Sequence, residues 1–130
     1  MQKNTVIDTG SMTFTFSDKA GNQFAWFNLN PTDPRILRKC KNLADVFDTA
    51  GERITSHIAW EELVEQQFCD FLGYDCRKSL FGRIAATDIM NDGRIFAFHI
   101  LDVIIANVGP EIKKRRAKNL ARYTAKYTND

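Results

Sequence analysis

The chain has 130 residues, of which 44% are apolar, 26% charged and 12% aromatic, enough for one globular domain with its own core and little more. That apolar content excludes disorder from end to end. No apolar run is long enough to span a bilayer, since the longest, Ile95 to Val108, contains His99, Asp102 and Asn107. The net charge of +2 hides an asymmetry: residues 110–130 hold seven basic and two acidic residues, a net +5, whereas residues 1–109 hold eleven basic and fourteen acidic ones, a net −3.

The first segment reads as extended. Met12-Thr13-Phe14-Thr15-Phe16 alternates apolar and polar strand formers. Asp18-Lys19-Ala20-Gly21-Asn22 supplies turn residues, and Phe24-Ala25-Trp26-Phe27-Asn28-Leu29 reads as the returning strand of a hairpin. A lone hairpin is marginal in water, so one face should pack on helices, and Val6 and Ile7 offer a third strand.

The chain changes character at Asn30-Pro31-Thr32-Asp33-Pro34. Asp33 suits an N-cap and Pro34 the first helical position. Ile36, Leu37, Cys40, Leu43, Ala44 and Phe47 then share one side of a helix, with Arg35, Arg38, Lys39, Lys41, Asp45 and Asp48 largely opposite. This helix is expected to end near Ala50-Gly51, with Gly51 as a left-handed cap. A second helix should start near Thr55 or Ser56, carry Ile58, Leu63, Val64, Phe68, Phe71 and Leu72, and stop at Gly73. A short element from Cys76 to Phe81 follows, broken by Gly82.

A third long helix is expected after Asn91-Asp92-Gly93, running through Ile95, Phe96, Phe98, Leu101, Ile104, Ile105 and Val108 until Gly109-Pro110 ends or kinks it. Residues 110–127 read as a candidate fourth, basic helix, weak unless something covers it, with a narrow apolar stripe of Ile112, Leu120, Tyr123 and Tyr127. Lys114, Lys118, Arg122 and Lys126 line one face at four-residue spacing, where like charges repel. The expectation is an α+β fold with an N-terminal β-hairpin packed on a three- to four-helix bundle. Residues 1–109 form the domain, and 110–130 a basic C-terminal helix or tail.

Chemistry-bearing constellations are sparse. The three cysteines, Cys40, Cys69 and Cys76, are an odd set without zinc-ligand spacing, and with no export signal expected they read as free thiols in a reducing compartment. Cys69, His99 and Asp102 do not sit in a nucleophile context, and His99 with Asp102 reads as a local pair at a core edge. Asp88, Asn91 and Asp92 with Gly93 lack the ligand spacing of a calcium loop and read as helix-capping residues. No enzyme activity, cofactor or metal is expected, which leaves binding to other macromolecules. The basic segment suits either phosphates, with tyrosines to stack on bases, or an acidic protein surface.

Phe68-Cys69-Asp70-Phe71-Leu72-Gly73, then Leu80-Phe81-Gly82, then Phe96-Ala97-Phe98-His99-Ile100-Leu101-Asp102-Val103-Ile104 together resemble the tail assembly chaperones of long-tailed phages and prophages of Gram-positive hosts. The hairpin and the Asn30-to-Pro34 step into a helix are similar too, so the resemblance spans about residues 12 to 108. It implies a non-enzymatic holdase in the host cytoplasm that coats the helical tape-measure protein, leaves as tail-tube subunits arrive, and is not expected in the mature virion. The family is often made in two lengths by a programmed frameshift. Candidate partner-binding residues are Phe81, Phe96 and Phe98 together with Lys114, Lys118, Arg122, Tyr123 and Lys126. Self-association is compatible with exposed apolar surface, membrane binding is not expected, and the alternative function is a small nucleic-acid-binding regulator acting through the basic tail.

Overall fold

The computed structural model describes residues 2–31, 33, 35–53 and 56–128, with side chains as far as Arg122. Two strands, β1 (Met12–Ser17) and β2 (Gln23–Leu29), precede four helices: α1 (Ile36–Arg53), α2 (His57–Leu72), the single turn α3 (Arg77–Leu80) and α4 (Phe96–Thr128). The fold is α+β, as the alternation in the first segment and the helical periodicity of the rest predict. None of the described helices is long and apolar enough to cross a membrane.

The hairpin is antiparallel, pairing Phe14 with Phe27 and Met12 with Leu29. Its turn is closed by Asp18, whose carboxylate accepts the Ala20 and Asn22 N–H groups at 2.9 Å. Side chains alternate between faces along a strand, so Phe14, Ala25, Phe27 and Leu29 are buried while Thr13, Thr15, Trp26 and Asn28 face outward. Among the described residues the sheet has only these two strands. Val6 and Ile7 do not form the expected third: they are 89% and 74% exposed. A run of two β-branched residues is too short to add a strand that buries a side-chain face.

That inner face begins a chain of phenylalanine contacts that crosses the whole core. Phe14 stacks on Phe27 at 4.9 Å between ring centroids, and Phe16 lies 6.1 Å from Phe27 and meets Phe96 edge-on at 5.5 Å. Phe24 joins Phe96, and Phe96 passes the contact to Phe81 and then to Phe68. Phe68 meets Phe47, and Phe47 meets Phe98. Offset and edge-on geometries are those that aromatic quadrupoles favour. Strand, loop and three helices are thereby joined by one side-chain type.

Local sequence sets most helix ends. Asp33 accepts the Arg35 N–H at 2.9 Å and pairs with Lys39 at 2.7 Å, which caps the entry to α1. Pro34, expected beside it, lies outside the described residues. Ser56 caps α2 by accepting the Ala59 N–H at 3.3 Å. Gly73, at φ +82°, closes the other end by donating to the Cys69 carbonyl, a conformation a side chain would strain. The α2–α3 corner is then tied to the hairpin, since Tyr74 Oη accepts the Asn28 N–H at 2.8 Å.

Three boundaries differ from expectation. α1 does not end at Gly51 but continues to Arg53, and Gly51 is not left-handed. A glycine is used there because Trp60 lies against it: a Cβ at residue 51 would stand 3.3 Å from the indole ring, which is held by its N–H donating to the Phe47 carbonyl. Gly109-Pro110, expected to end or kink the third helix, does not end it: the helix runs through, so the third and fourth predicted helices are both α4. An interior proline removes one helical hydrogen bond and crowds the preceding turn. Buried Leu101, Ile104 and Val108 on one side and half-buried Ile112 on the other hold both halves against the body. Asp88 and Asp92, expected as helix caps, instead cap the tight turns before α4 by accepting the Ala85 and Arg94 N–H groups.

Phe47 is fully buried at the meeting point of α1, α2 and α4, so Phe47→Ala should lower stability by about 3–5 kcal/mol in chemical denaturation. Lys39, then Arg35, hold the Asp33 carboxyl well below its ordinary value of 3.8. Its contribution is therefore complete above about pH 4 and is lost as pH falls through the lower folded value. Asp33→Asn should flatten the acid limb of the thermal midpoint plotted against pH; an unchanged limb would remove this role.

Candidate partner-binding surface

The buried stripe of α1 is Ile36, Cys40, Leu43, Phe47 and Ala50. Val46 lies outside that stripe and is 41% exposed, on the side of α1 that faces α2. Two shallow depressions share it. One is lined by Leu43, Phe71, Lys39 and Asp70, the other by Ala50, Thr49, Asp45 and Arg53. The first lies between α1 and α2 and the second on α1 alone; through Val46 they join as one shallow, open groove that follows α1 from Lys39 to Arg53, about 20 Å at the helical rise per residue. Its floor is Leu43, Val46, Ala50 and Phe71, and its rim carries charges of both signs.

A second cleft, of about 540 Å³, opens near the start of α4 between Phe47, Trp60, Arg94 and Phe98. The Arg94 guanidinium sits 5.8 Å from the centre of the Phe98 ring and pairs with Asp102. His99 pairs with Asp92 at 3.0 Å. The local His99–Asp102 pair expected from their spacing is therefore replaced by two pairs, because the turn before α4 brings Asp92 and Arg94 back over its first turns. No arrangement unites Cys69 with His99 and Asp102: the Cys69 sulfur contacts Asp75 and Cys76. Among the described residues no three His, Cys, Asp or Glu side chains converge as a ligand group.

The sequence-derived candidates divide sharply. Phe81 and Phe96 are buried, at 8% and 2% exposure, and belong to the aromatic core rather than to a partner surface. They fall on the inward side because the hairpin face and α2 both need aromatic partners there. Phe98 is half-buried and lines the Arg94 cleft. Lys114, Lys118 and Arg122 are exposed, and none takes part in an ion pair among the described residues. The side chains of Tyr123 and Lys126 lie outside the described ones.

Arg115 is different from its basic neighbours. Its guanidinium donates to the Gly10 carbonyl at 2.6 Å and the Thr9 carbonyl at 3.3 Å, and it pairs with Glu111 at 3.0 Å. It ties the chain before the hairpin to α4. Gly10, at φ +69°, leaves room for this approach, since a Cβ there would collide with the guanidinium. From Arg116 to Arg122 every side chain is exposed, including Leu120 at 69%. That stretch is helix without a packed face.

Sequence reasoning missed the groove, the Arg94 cleft and the Arg115 tie. The signal for the groove was present: Val46, between Asp45 and Phe47, is a large apolar residue that the buried stripe does not use. The Arg115 tie gave no signal, because the carbonyls it reaches are more than a hundred positions away. Arg115→Ala should lower stability by about 1 kcal/mol and speed amide exchange across residues 2–11; unaltered exchange there would mean that the tie does not order the segment. The surface rests on its own geometry, for the chain has no significant match among family models, curated proteins or solved structures.

Proposed function

We propose that this chain is a non-enzymatic tail assembly chaperone of the phage and prophage type, and that it holds an amphipathic helical segment of the tape-measure protein in the groove along α1. The observation that carries the reading is that groove: Val46 is exposed at its middle, half-buried Phe71 lies beside it, the buried Leu43 and Ala50 lie beneath, and polar side chains border it. Helix-in-groove recognition needs a floor of this kind to take anchors at helical spacing. The length, about four helical turns, suits one segment of a long helical client rather than a small molecule. Mixed charge at the rim, from Lys39 and Arg53 to Asp45 and Asp70, sets register more than affinity. In this reading the protein works in the host cytoplasm, contacts tail-tube subunits only as they displace it, and is absent from the finished virion.

A second reading is favoured by one observation, the exposed ladder Lys114, Lys118 and Arg122, in a stretch from Ile112 to Asn129 that contains no acid. A nucleic-acid-binding regulator would use it for phosphate contacts. The two readings separate in one set of assays. Co-expression with a tape-measure protein should give a complex that co-purifies, and Val46→Asp should weaken it at least tenfold with the thermal midpoint little changed, since Val46 is already partly exposed. Failure to form a complex when both partners are folded would overturn the chaperone reading. The alternative expects steeply salt-dependent DNA or RNA binding that the triple alanine variant of Lys114, Lys118 and Arg122 abolishes.

A further inference from the structure

We propose that Cys69 and Cys76 are a disulfide-forming pair, oxidised by a peroxide that reaches Cys69 first and resolved by Cys76, so that the α2–α3 corner is a covalent modification site. The sulfurs lie 3.5 Å apart. Closing that gap to a bonded distance takes about 1.5 Å, within reach of side-chain rotation. Cys69 is in the last turn of α2, Cys76 precedes α3, and the left-handed Gly73 between them turns the chain back so that the two meet. Sequence spacing hides the pair, because six residues of helix end and turn separate them.

Access is asymmetric. Cys69 is 7% exposed and lines an open depression with Gln66, Asp70, Tyr74, Asp75 and Arg77. Its S–H points to the Asp75 carboxylate at 3.7 Å, an acceptor at the mouth of that depression. Cys76 is fully buried behind it. Burial, and then the neighbouring Cys69 sulfur, push the Cys76 thiol up to about 12, which keeps it protonated, so that it is not the sulfur that meets the peroxide first. The Cys69 sulfur attacks one oxygen of hydrogen peroxide, the O–O bond breaks, and the departing hydroxide takes the thiol proton and leaves as water, giving a sulfenic acid. The Cys76 sulfur then attacks the Cys69 sulfur. Its proton joins the sulfenic hydroxyl, which leaves as a second water, and the S–S bond forms. Two thiols are oxidised and one peroxide is reduced. Cys40 provides an internal control: it is buried in α1, and no other cysteine sulfur contacts it among the described residues.

The corner matters because it also carries Tyr74, whose hydroxyl accepts the Asn28 amide of β2. A bond from Cys69 to Cys76 therefore fixes the segment that holds the hairpin to the helices. The test is hydrogen peroxide applied to the folded, full-length protein, followed by quenching, denaturation and thiol counting. The expected result is a fall from three thiols to one, a loss of two hydrogen masses, and a linked peptide joining residues 69 and 76. The thermal midpoint should rise by about 5 °C, and exchange of the Asn28 amide should slow. Cys40→Ser should leave the linkage intact. Cys76→Ser should trap Cys69 as a sulfenic acid that a dimedone-type reagent labels. Retention of all three thiols, over-oxidation of Cys69 with Cys76 still free, or linkage through Cys40 would each overturn the proposal.

Discussion

The contact between the aromatic face of the hairpin and Phe96 holds the two parts of this fold together. A two-stranded sheet has too little area to be stable alone, and here its inner face is completed by a ring from the first turn of α4. Phe96 in turn rests on Phe81, which rests on Phe68, and Phe68 on Phe47. Each ring buries a large apolar area and fixes the orientation of the next. Loss of any link leaves a void bounded by stiff aromatic neighbours, which relax poorly. Nine of the ten phenylalanines serve this chain of contacts, and the tenth, Phe71, is half-buried in the groove.

That division shapes the reading of the surface. A sequence rich in phenylalanine invites the idea of aromatic side chains held out for a client, and Phe81 and Phe96 were natural candidates. Both are consumed by the core. What remains outside is mostly aliphatic, Trp26 on the hairpin apart: Val46 on α1, Ile58 on α2, Ile89 before α4, and Ile105 and Leu120 on α4 are among the exposed apolar side chains. The basic stretch of α4 is joined to the body through Arg115, but Lys114, Lys118 and Arg122 are left to whatever approaches.

Much of the fold was legible because local chemistry and tertiary structure agree. Alternation in residues 12–16, the turn at Asp18, the cap at Asp33, the start of α2 near Ser56 and its stop at Gly73 each have a local cause, and each is found in place. The misreadings share a different cause. Gly51 and Pro110 are helix-ending residues by propensity, but one accommodates Trp60 and the other lies in a helix packed on both sides of it. A glycine or proline states what the backbone allows, and tertiary contacts decide what it is used for. The candidate surface was less legible still. Its groove depends on how α1 and α2 meet, and the Cys69–Cys76 contact and the His99–Asp92 pair depend on turns that bring distant positions together.

If a helical client lies along α1, position 46 is at the centre of the contact and the outer face of the hairpin is away from it. The most direct measurement is site-specific photocrosslinking in cells that co-express the long helical partner, with the photoreactive side chain placed at Val46 or, for comparison, at Thr15 on the exposed hairpin face. The account predicts a strong crosslink from position 46 to an amphipathic segment of the partner and little from position 15. A stable complex that crosslinks from position 15 but not from position 46 would contradict it.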